Sequence, residues 1–403
     1  MTSDAFAQSL TDGYGSGASN SVASNLRTNP GTIAPPSLTE TTELQHSPSQ
    51  DAGRRDHACI IVLNWNGWRD TIECLESLLR LDFPNYKIIV CDNASSDDSW
   101  NEIGRWANGD RAVPCSNPRL AHLTSPPVTK PVSHVCYSSP QESLISPSSN
   151  CPLVLIQTGG NLGFAMGNNV GLRYALSQTD CEYFWLLNND TVVEPSALLR
   201  LIESMKEDRQ TGICGSMLRD YTSPETVQAF GVRQYSAWSG RVLPVNPAKL
   251  PSRHVDYVHG ASMMVRREFL ETVGLLDESY FLYFEELDRA TRSQGLFRLA
   301  FAPLSTVYHK EGASIGTHNR RQERSLLAER FATRNRLLFT RKFHPAFVPT
   351  VLGFVILTAL HRTLTGDIHR AGQILSAAWE GLTCPKQPLR PSRVLNSRTA
   401  VTP

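Results

Sequence analysis

The chain has 403 residues, 40% of them hydrophobic, and a formal net charge of +1 at pH 7. That length exceeds one small core and suits a single large domain with appendages, while the composition excludes a wholly disordered chain and a wholly membrane-embedded one. The near-neutral total hides an asymmetry. From Asn319 onward fourteen Lys and Arg face four Asp and Glu, a net of +10, which leaves a net of −9 before it. A basic tail suits an anionic membrane leaflet, nucleic acid, or simply solvated helix faces.

Residues 1–57 are rich in Ser, Thr, Asn, Gly and Pro and show little apolar periodicity, so they are expected to form a disordered N-terminal tail. No charged segment followed by an apolar run argues for secretion, and nine cysteines without a Cys-x-x-Cys pair read as buried thiols in a reducing compartment. A cytoplasmic protein is the expectation. Next come "ACIIVLNWNGW", then "DTIECLESLLRL" with Ile72, Leu75, Leu78 and Leu79 at helical spacing, then "YKIIVCDNASSDDS". This is strand, helix, strand. Continuous rather than alternating apolar strands mark a parallel sheet covered on both faces.

After Trp106 the text turns dense in Pro and Ser, so 107–151 reads as an inserted low-complexity loop, disordered or a lid. The rhythm resumes with "PLVLIQTGGNLGFAMGNNVGLRYAL", then "YFWLLNNDTVV", then a helix from about Ser196 to Lys206. A second region follows from about Gly212, and Leu327, Phe331 and Leu338 support an amphipathic helix over 322–341. Beyond it the apolar run from Phe347 to Leu360 is short for a bilayer span of roughly 20 residues. A membrane-surface helix flanked by Arg and Lys is the functional reading, and a buried core helix the structural one. The division expected is 58–318 as the main domain (58–190 ligand-binding, 191–318 acceptor-binding), 319–385 as basic and apolar helices, and 386–403 as a disordered tail.

In open parallel sheets, ligands collect beyond the C-terminal ends of the strands. Four polar clusters fall at such ends: 64–68, 92–98, 159–163 and 188–190. Loops of Asn, Asp and Gly supply donors, acceptors and unencumbered backbone, which suits a nucleotide; any one of them alone could be turn or capping chemistry. Asp190, ending an apolar strand, is placed to hold a hard divalent cation, Mg2+ or Mn2+, beside a diphosphate, or else caps a turn. Glu285, Glu286 and Asp288 in "FEELDRATR" could furnish a general base, or could simply complement a helix dipole. His309, at a strand end, is a further metal ligand or an ordinary strand-end histidine.

Taken in order, "VLNWNGWRDTIECLESLL", "IIVCDNASSDDS", "GGNLGFAMGNNVGLRYAL", "FWLLNNDTVVEP", "GASMMVRREFLETVGLLDESYFLYFEELD" and "VYHKEGAS" closely resemble the bacterial family 2 glycosyltransferases, especially the rhamnosyltransferase-like members. The resemblance spans about 58–340 apart from the inserted loop. It implies a GT-A fold, an α/β nucleotide-diphospho-sugar-binding domain whose Rossmann-like, mostly parallel sheet has helices on both faces, with C-terminal helices appended. It also implies an inverting hexosyltransferase that uses a divalent cation and a carboxylate base. Carried over residue by residue, Asn64 and Asp92 line the nucleoside pocket with Asn161 beside it. Asn188, Asn189 and Asp190 stand where the family has its metal-binding Asp-x-Asp. Asp190 and His309 then hold the cation, and Glu286 is the base with Asp288 the next candidate.

The partners implied are a nucleotide-diphospho-sugar donor, dTDP-L-rhamnose by family likeness, and a saccharide or lipid-linked saccharide acceptor. The basic apolar tail adds an anionic membrane surface on the cytoplasmic face of the inner membrane; nucleic acid is not expected. Three departures stand out: Asn188 in place of Asp, Glu286 in place of the commoner Asp, and Gly295-Leu296-Phe297 where relatives often carry Gly-Trp. A dinucleotide-dependent oxidoreductase would need a Gly-x-Gly-x-x-Gly after the first strand, where this chain has Asn64-Trp65-Asn66-Gly67. A catalytically decayed GT-A protein serving as a carbohydrate-binding or scaffolding module is the remaining alternative.

Overall fold

The computed structural model describes residues 57–112, 117–146, 151–178, 180–243, 256–310 and 325–385. The expected tails over 1–57 and 386–403 lie outside them, apart from His57, which is described. The first βαβ unit is β1 (Ala58–Asn64), α1 (Trp68–Leu78) and β2 (Tyr86–Asp92), followed by α2 (Ser99–Asn108). Then come β3 (His134–Tyr137), α3 (Pro140–Ile145), β4 (Leu153–Gln157), α4 (Gly163–Ser177), β5 (Tyr183–Asn188), β6 (Thr191–Val193) and α5 (Ala197–Glu207). Strands β7 (Thr211–Asp220), β8 (Val227–Ala229), β9 (Val232–Ser236), β10 (Arg241–Leu243), β11 (Tyr257–Val258) and β12 (Ser262–Arg266) lead to α6 (Arg267–Thr272) and α7 (Glu285–Arg292). The chain continues with β13 (Arg298–His309), α8 (Leu326–Phe343), α9 (Val348–Leu364) and α10 (Ile368–Thr383).

The main sheet runs β3-β4-β2-β1-β5-β12-β7-β13-β6, with β8 paired to β7. From β3 to β5 every pairing is parallel, whereas β12 is antiparallel to both its neighbours. The period of two along β1 divides its side chains between two cores. Ala58, Ile60 and Val62 pack with Ile72 and Leu75 of α1, Trp106 of α2 and Leu198 of α5. Cys59 and Ile61 pack on the other face with Leu172 and Tyr174 of α4 and Phe269 of α6. Helices therefore cover both faces, as the unbroken apolar strands require, and burial of each large side chain contributes on the order of 1.5–3 kcal/mol.

The segment 107–151 differs from the low-complexity reading. Its described part carries a 3-10 turn over Pro118–Leu123, an edge strand β3 parallel to β4, and α3 capped by Ser139. Leu120 and Leu123 are buried with Val192, Tyr221 and Tyr308. Four strand residues set between Pro and Ser runs leave too short an apolar signal to detect, because parallel pairing to β4 supplies the stability that the segment's own pattern lacks.

α8 forms over Leu326–Phe343, capped by the Ser325 hydroxyl. Val351, Val355 and Ala359 of α9 pack with Ala371, Ile374 and Ala378 of α10 and Leu337 of α8. From Pro345 to Leu364 the chain is long and apolar enough to cross a membrane, yet its α9 stripe is buried against α8 and α10.

Candidate active site

The strand ends converge as the parallel topology dictates. Asn64 and Asp92 are register partners at the ends of β1 and β2. Asn64 Nδ2 donates to Asp92 Oδ1 at 2.6 Å, and Asn64 Oδ1 accepts from the Thr71 hydroxyl at 2.7 Å. The Asp92 carboxylate also accepts from the Ser95 hydroxyl at 2.6 Å, the Ser95 amide at 3.2 Å and Gln157 Nε2 at 2.8 Å. Asn161 accepts from Asn93 Nδ2 and the Gly163 amide, each at 3.1 Å. Asn93, buried beneath this loop, takes the Leu162 amide at 3.0 Å. Thr71 and Gln157 escaped the sequence reading, and Asn93 entered it only within the 92–98 cluster, since their role is to hold the loops and nothing in their spacing marks it.

The three residues of the "NND" motif separate in function. Asn189 turns inward and donates to Thr71 at 3.0 Å, so it braces the β1 loop. Asn188 gives its amide to the Ala261 carbonyl at 3.0 Å and so joins the end of β5 to the turn before β12. Asp190 faces His309, with Oδ1 and Nε2 3.3 Å apart and each side chain 7% exposed. Two backbone features bring the histidine there. His309 is the register partner of Thr191, and the Lys310 amide donates to the Asp190 carbonyl at 3.0 Å. Gln228 Oε1 lies 2.8 Å from His309 Nδ1 and fixes the ring.

A carboxylate oxygen and an imidazole nitrogen converging at that separation suit Mg2+ or Mn2+, which accept both donor types and fill their remaining positions with water and phosphate oxygens. The residues present fit such an ion. The ring of His259 stands 6.2 Å from that of His309, and burial drives its pKa well down, so it stays neutral beside the pair.

Glu286 opens α7. Its carboxylate lies over Gly260, next to His259, so that a Cβ at 260 would sit 2.1 Å from Oε1. Burial pushes the Glu286 carboxyl above its usual range, opposed by Arg289, Arg233 and the Gly260 backbone. Glu285, deeper still, is pushed well up, first by burial and then by the charge of Glu286. Arg289 is fully buried below them, and burial draws it down to about 9.

The loop feeding α7 is strained. Tyr283 and Phe284 hold φ of 70° and 77°, a left-handed conformation that costs bulky residues about 1–3 kcal/mol each. Asn335 of α8 secures it by donating to the carbonyls of Leu282 at 2.8 Å and Tyr283 at 3.0 Å. Gly163, at φ 74°, lets the Phe164 amide reach the Phe281 carbonyl at 2.7 Å, since any Cβ would meet that carbonyl. The loop at the end of β4 thus touches the loop bearing the carboxylates.

Asp288 corrects the expectation that it is the next candidate base. It is fully buried and bound by Arg292 Nε at 2.7 Å and by Lys342 Nζ. Lys342 also pairs with Asp277 at 2.6 Å, so Asp288 ties α7 to α8 instead of facing a substrate. In the Gly295-Leu296-Phe297 stretch that stands where relatives often carry Gly-Trp, Phe297 packs on Phe269 with ring centroids 5.1 Å apart, while Leu296 is exposed.

The glycosyl transferase family 2 profile matches residues 59–123 and 141–274, the stretches that carry β1, β2, β4 to β12 and the strand-end clusters, with β3 in the gap between them. The chain belongs to glycosyl transferase family 2, and its fold is of the GT-A type. It is 30% identical over 142 residues to the low-salt glycan biosynthesis hexosyltransferase Agl10 of Haloferax volcanii, covering 34% of this chain and 45% of that protein. To the rhamnosyltransferase WbbL of Escherichia coli it is 26% identical, covering 38% and 62%. To the N-acetylglucosaminyl-diphospho-decaprenol L-rhamnosyltransferase of Mycobacterium tuberculosis it is 24% identical, covering 40% and 60%. The chain thus spans less than two thirds of each relative. Among solved structures, the mannosyltransferase PcManGT from Pyrobaculum calidifontis in complex with GDP-Man and Mn2+ superposes with a TM-score of 0.45 at 14% identity, covering 82% of this chain and 88% of that one.

Proposed function

We propose that the chain transfers a sugar, with inversion, from a nucleotide-diphospho-sugar to a hydroxyl of a saccharide or lipid-linked saccharide in cell-surface polysaccharide synthesis. The observation that carries this reading is the meeting of two kinds of chemistry at one end of one sheet. The Asp190–His309 pair and the Glu286 carboxylate are joined through the turn of His259, Gly260 and Ala261. Asp190 and His309 would hold a divalent ion, which would supply positive charge to offset that of the departing diphosphate. Glu286 takes the proton of the acceptor hydroxyl as the new bond forms at the anomeric carbon and the bond to the diphosphate breaks; the proton then leaves to solvent. Asn64, Asp92 and Asn161 line the nucleoside side, with Asn188 and Asn189 shaping the rim.

L-rhamnose from dTDP-L-rhamnose is the donor we favour, supported by the names of two of the relatives. Incubation with dTDP-rhamnose, UDP-hexoses and GDP-mannose and a lipid-diphosphate saccharide acceptor, followed by NMR of the anomeric proton, should give one product of inverted configuration. Transfer with retention, or none from any donor, contradicts the reading and returns weight to the decayed module.

The exposed apolar faces of the C-terminal helices support membrane attachment. Leu357, Leu360 and Leu364 of α9 are 62%, 54% and 86% exposed, and Ile368 and Trp379 of α10 are 70% and 68% exposed. Several described basic residues of this region are spent internally: Lys342 on Asp277 and Asp288, and Arg370 on Glu329. Lys386, Arg390, Arg393 and Arg398 lie outside the described residues. Apolar insertion, aided by that tail, therefore supports a peripheral position on the cytoplasmic face of the membrane better than charge alone. Combining Leu357→Glu, Leu364→Glu and Trp379→Glu removes surface apolar area without touching the core. Co-sedimentation with vesicles of phosphatidylglycerol and phosphatidylcholine should fall at least about tenfold, given roughly 1.5–3 kcal/mol per inserted side chain; unchanged binding sinks the proposal.

A further inference from the structure

The end of the sheet opposite the crevice carries a second cluster that sugar transfer does not use. His57 precedes β1, Cys59 is its second residue, and Cys181 stands two residues before β5. Alternation along the chain puts His57 and Cys59 on one face. The His57 carbonyl accepts from the amides of Glu182 at 2.9 Å and Tyr183 at 3.2 Å, which draws Cys181 to the same place. One ligand atom from each of His57, Cys59 and Cys181 lies within 4.8 Å of the others.

We propose that His57, Cys59 and Cys181 bind Zn2+, with Asp180 closing the fourth position, in a structural site that staples the start of β1 to the start of β5. Tetrahedral zinc with bonds of about 2.3 Å to sulfur and 2.0 Å to nitrogen needs its ligand atoms roughly 3.5–3.8 Å apart, so at most about 1.3 Å of contraction from the 4.8 Å limit completes the site. Both thiols are fully buried. Asp180 is exposed, and its Oδ2 already stands 3.9 Å from His57 Nε2.

The thiols also differ from ordinary core cysteines. Burial pushes Cys74, Cys91 and Cys214 up to about 12. Cys59 moves the other way, to about 7, chiefly through the hydrogen bond from Cys181 and with help from the imidazole and Lys87. Cys181 itself is pushed well up by burial and by Cys59.

The test is titration of the reduced, full-length chain with Co2+ and then Zn2+, read by thiolate-to-cobalt charge-transfer absorption. One equivalent of Co2+ should give the band, and Zn2+ should abolish it. Cys59→Ser with Cys181→Ser should lose it; His57→Gln, which leaves the core intact, should weaken Co2+ binding at least tenfold. Replacing Cys136, Cys151 and Cys384 with Ser should leave the band unchanged, and so should Asp190→Asn, which separates this site from the crevice. A folded chain that shows no band, or a band that survives in the Cys59/Cys181 variant, overturns the proposal.

Discussion

Glu286→Gln should lower kcat by about 10²–10⁴-fold, the span that a positioned general base supplies, while nucleotide affinity stays within a few-fold. The substitution keeps shape and removes only the ability to take a proton. Because burial raises the Glu286 carboxyl, its base form is lost as pH falls through that raised value. The acid limb of the rate profile should therefore lie above the range of an ordinary exposed carboxylate, and should vanish in the Gln variant. Gly260→Ala is the geometric counterpart. Its Cβ would displace the mobile end of Glu286, which should cost about 10²-fold in kcat with little loss of fold. A Gln variant that keeps more than a tenth of the wild-type rate contradicts the assignment.

Asp190→Ala should remove at least about 100-fold of metal-dependent nucleotide affinity. Loss of an outer-shell partner typically costs 10–100-fold, and loss of a ligating carboxylate should cost more. The structure supplies that outer partner as well. Gln228 fixes His309 through Nδ1, so Gln228→Ala should fall within about 10–100-fold while Asp190→Ala exceeds it. Equal effects, or none, would mean that the pair is only a strand-end ion pair.

Much of this was legible before any coordinates. Apolar strands separated by helical spacing announce a covered parallel sheet, and the sheet places Asn64, Asp92 and Asp190 at one end. Residues that depend on contacts distant in sequence were not legible. Gln228 reaches His309 across 81 positions, and Asn335 holds the Leu282 and Tyr283 carbonyls across more than 50. Asp288 misled for the same reason: beside Glu286 in sequence it reads as a second base, yet Lys342, 54 positions on, neutralises it. The β3 strand, too short to show a period, is defined only by its neighbour. Pairing across β1 and β5 likewise creates the His57, Cys59 and Cys181 cluster, which no spacing rule would join.

The central claim is that this crevice binds a nucleoside diphosphate through a divalent ion held at Asp190 and His309. Calorimetric titration of the purified chain with UDP, dTDP and GDP, each with Mn2+ and with a chelator, tests it most directly. One nucleotide, dTDP by our reading, should bind with Mn2+ present and lose most of its affinity without it. Folded protein that binds none of the three, or binds equally with the chelator, contradicts the claim.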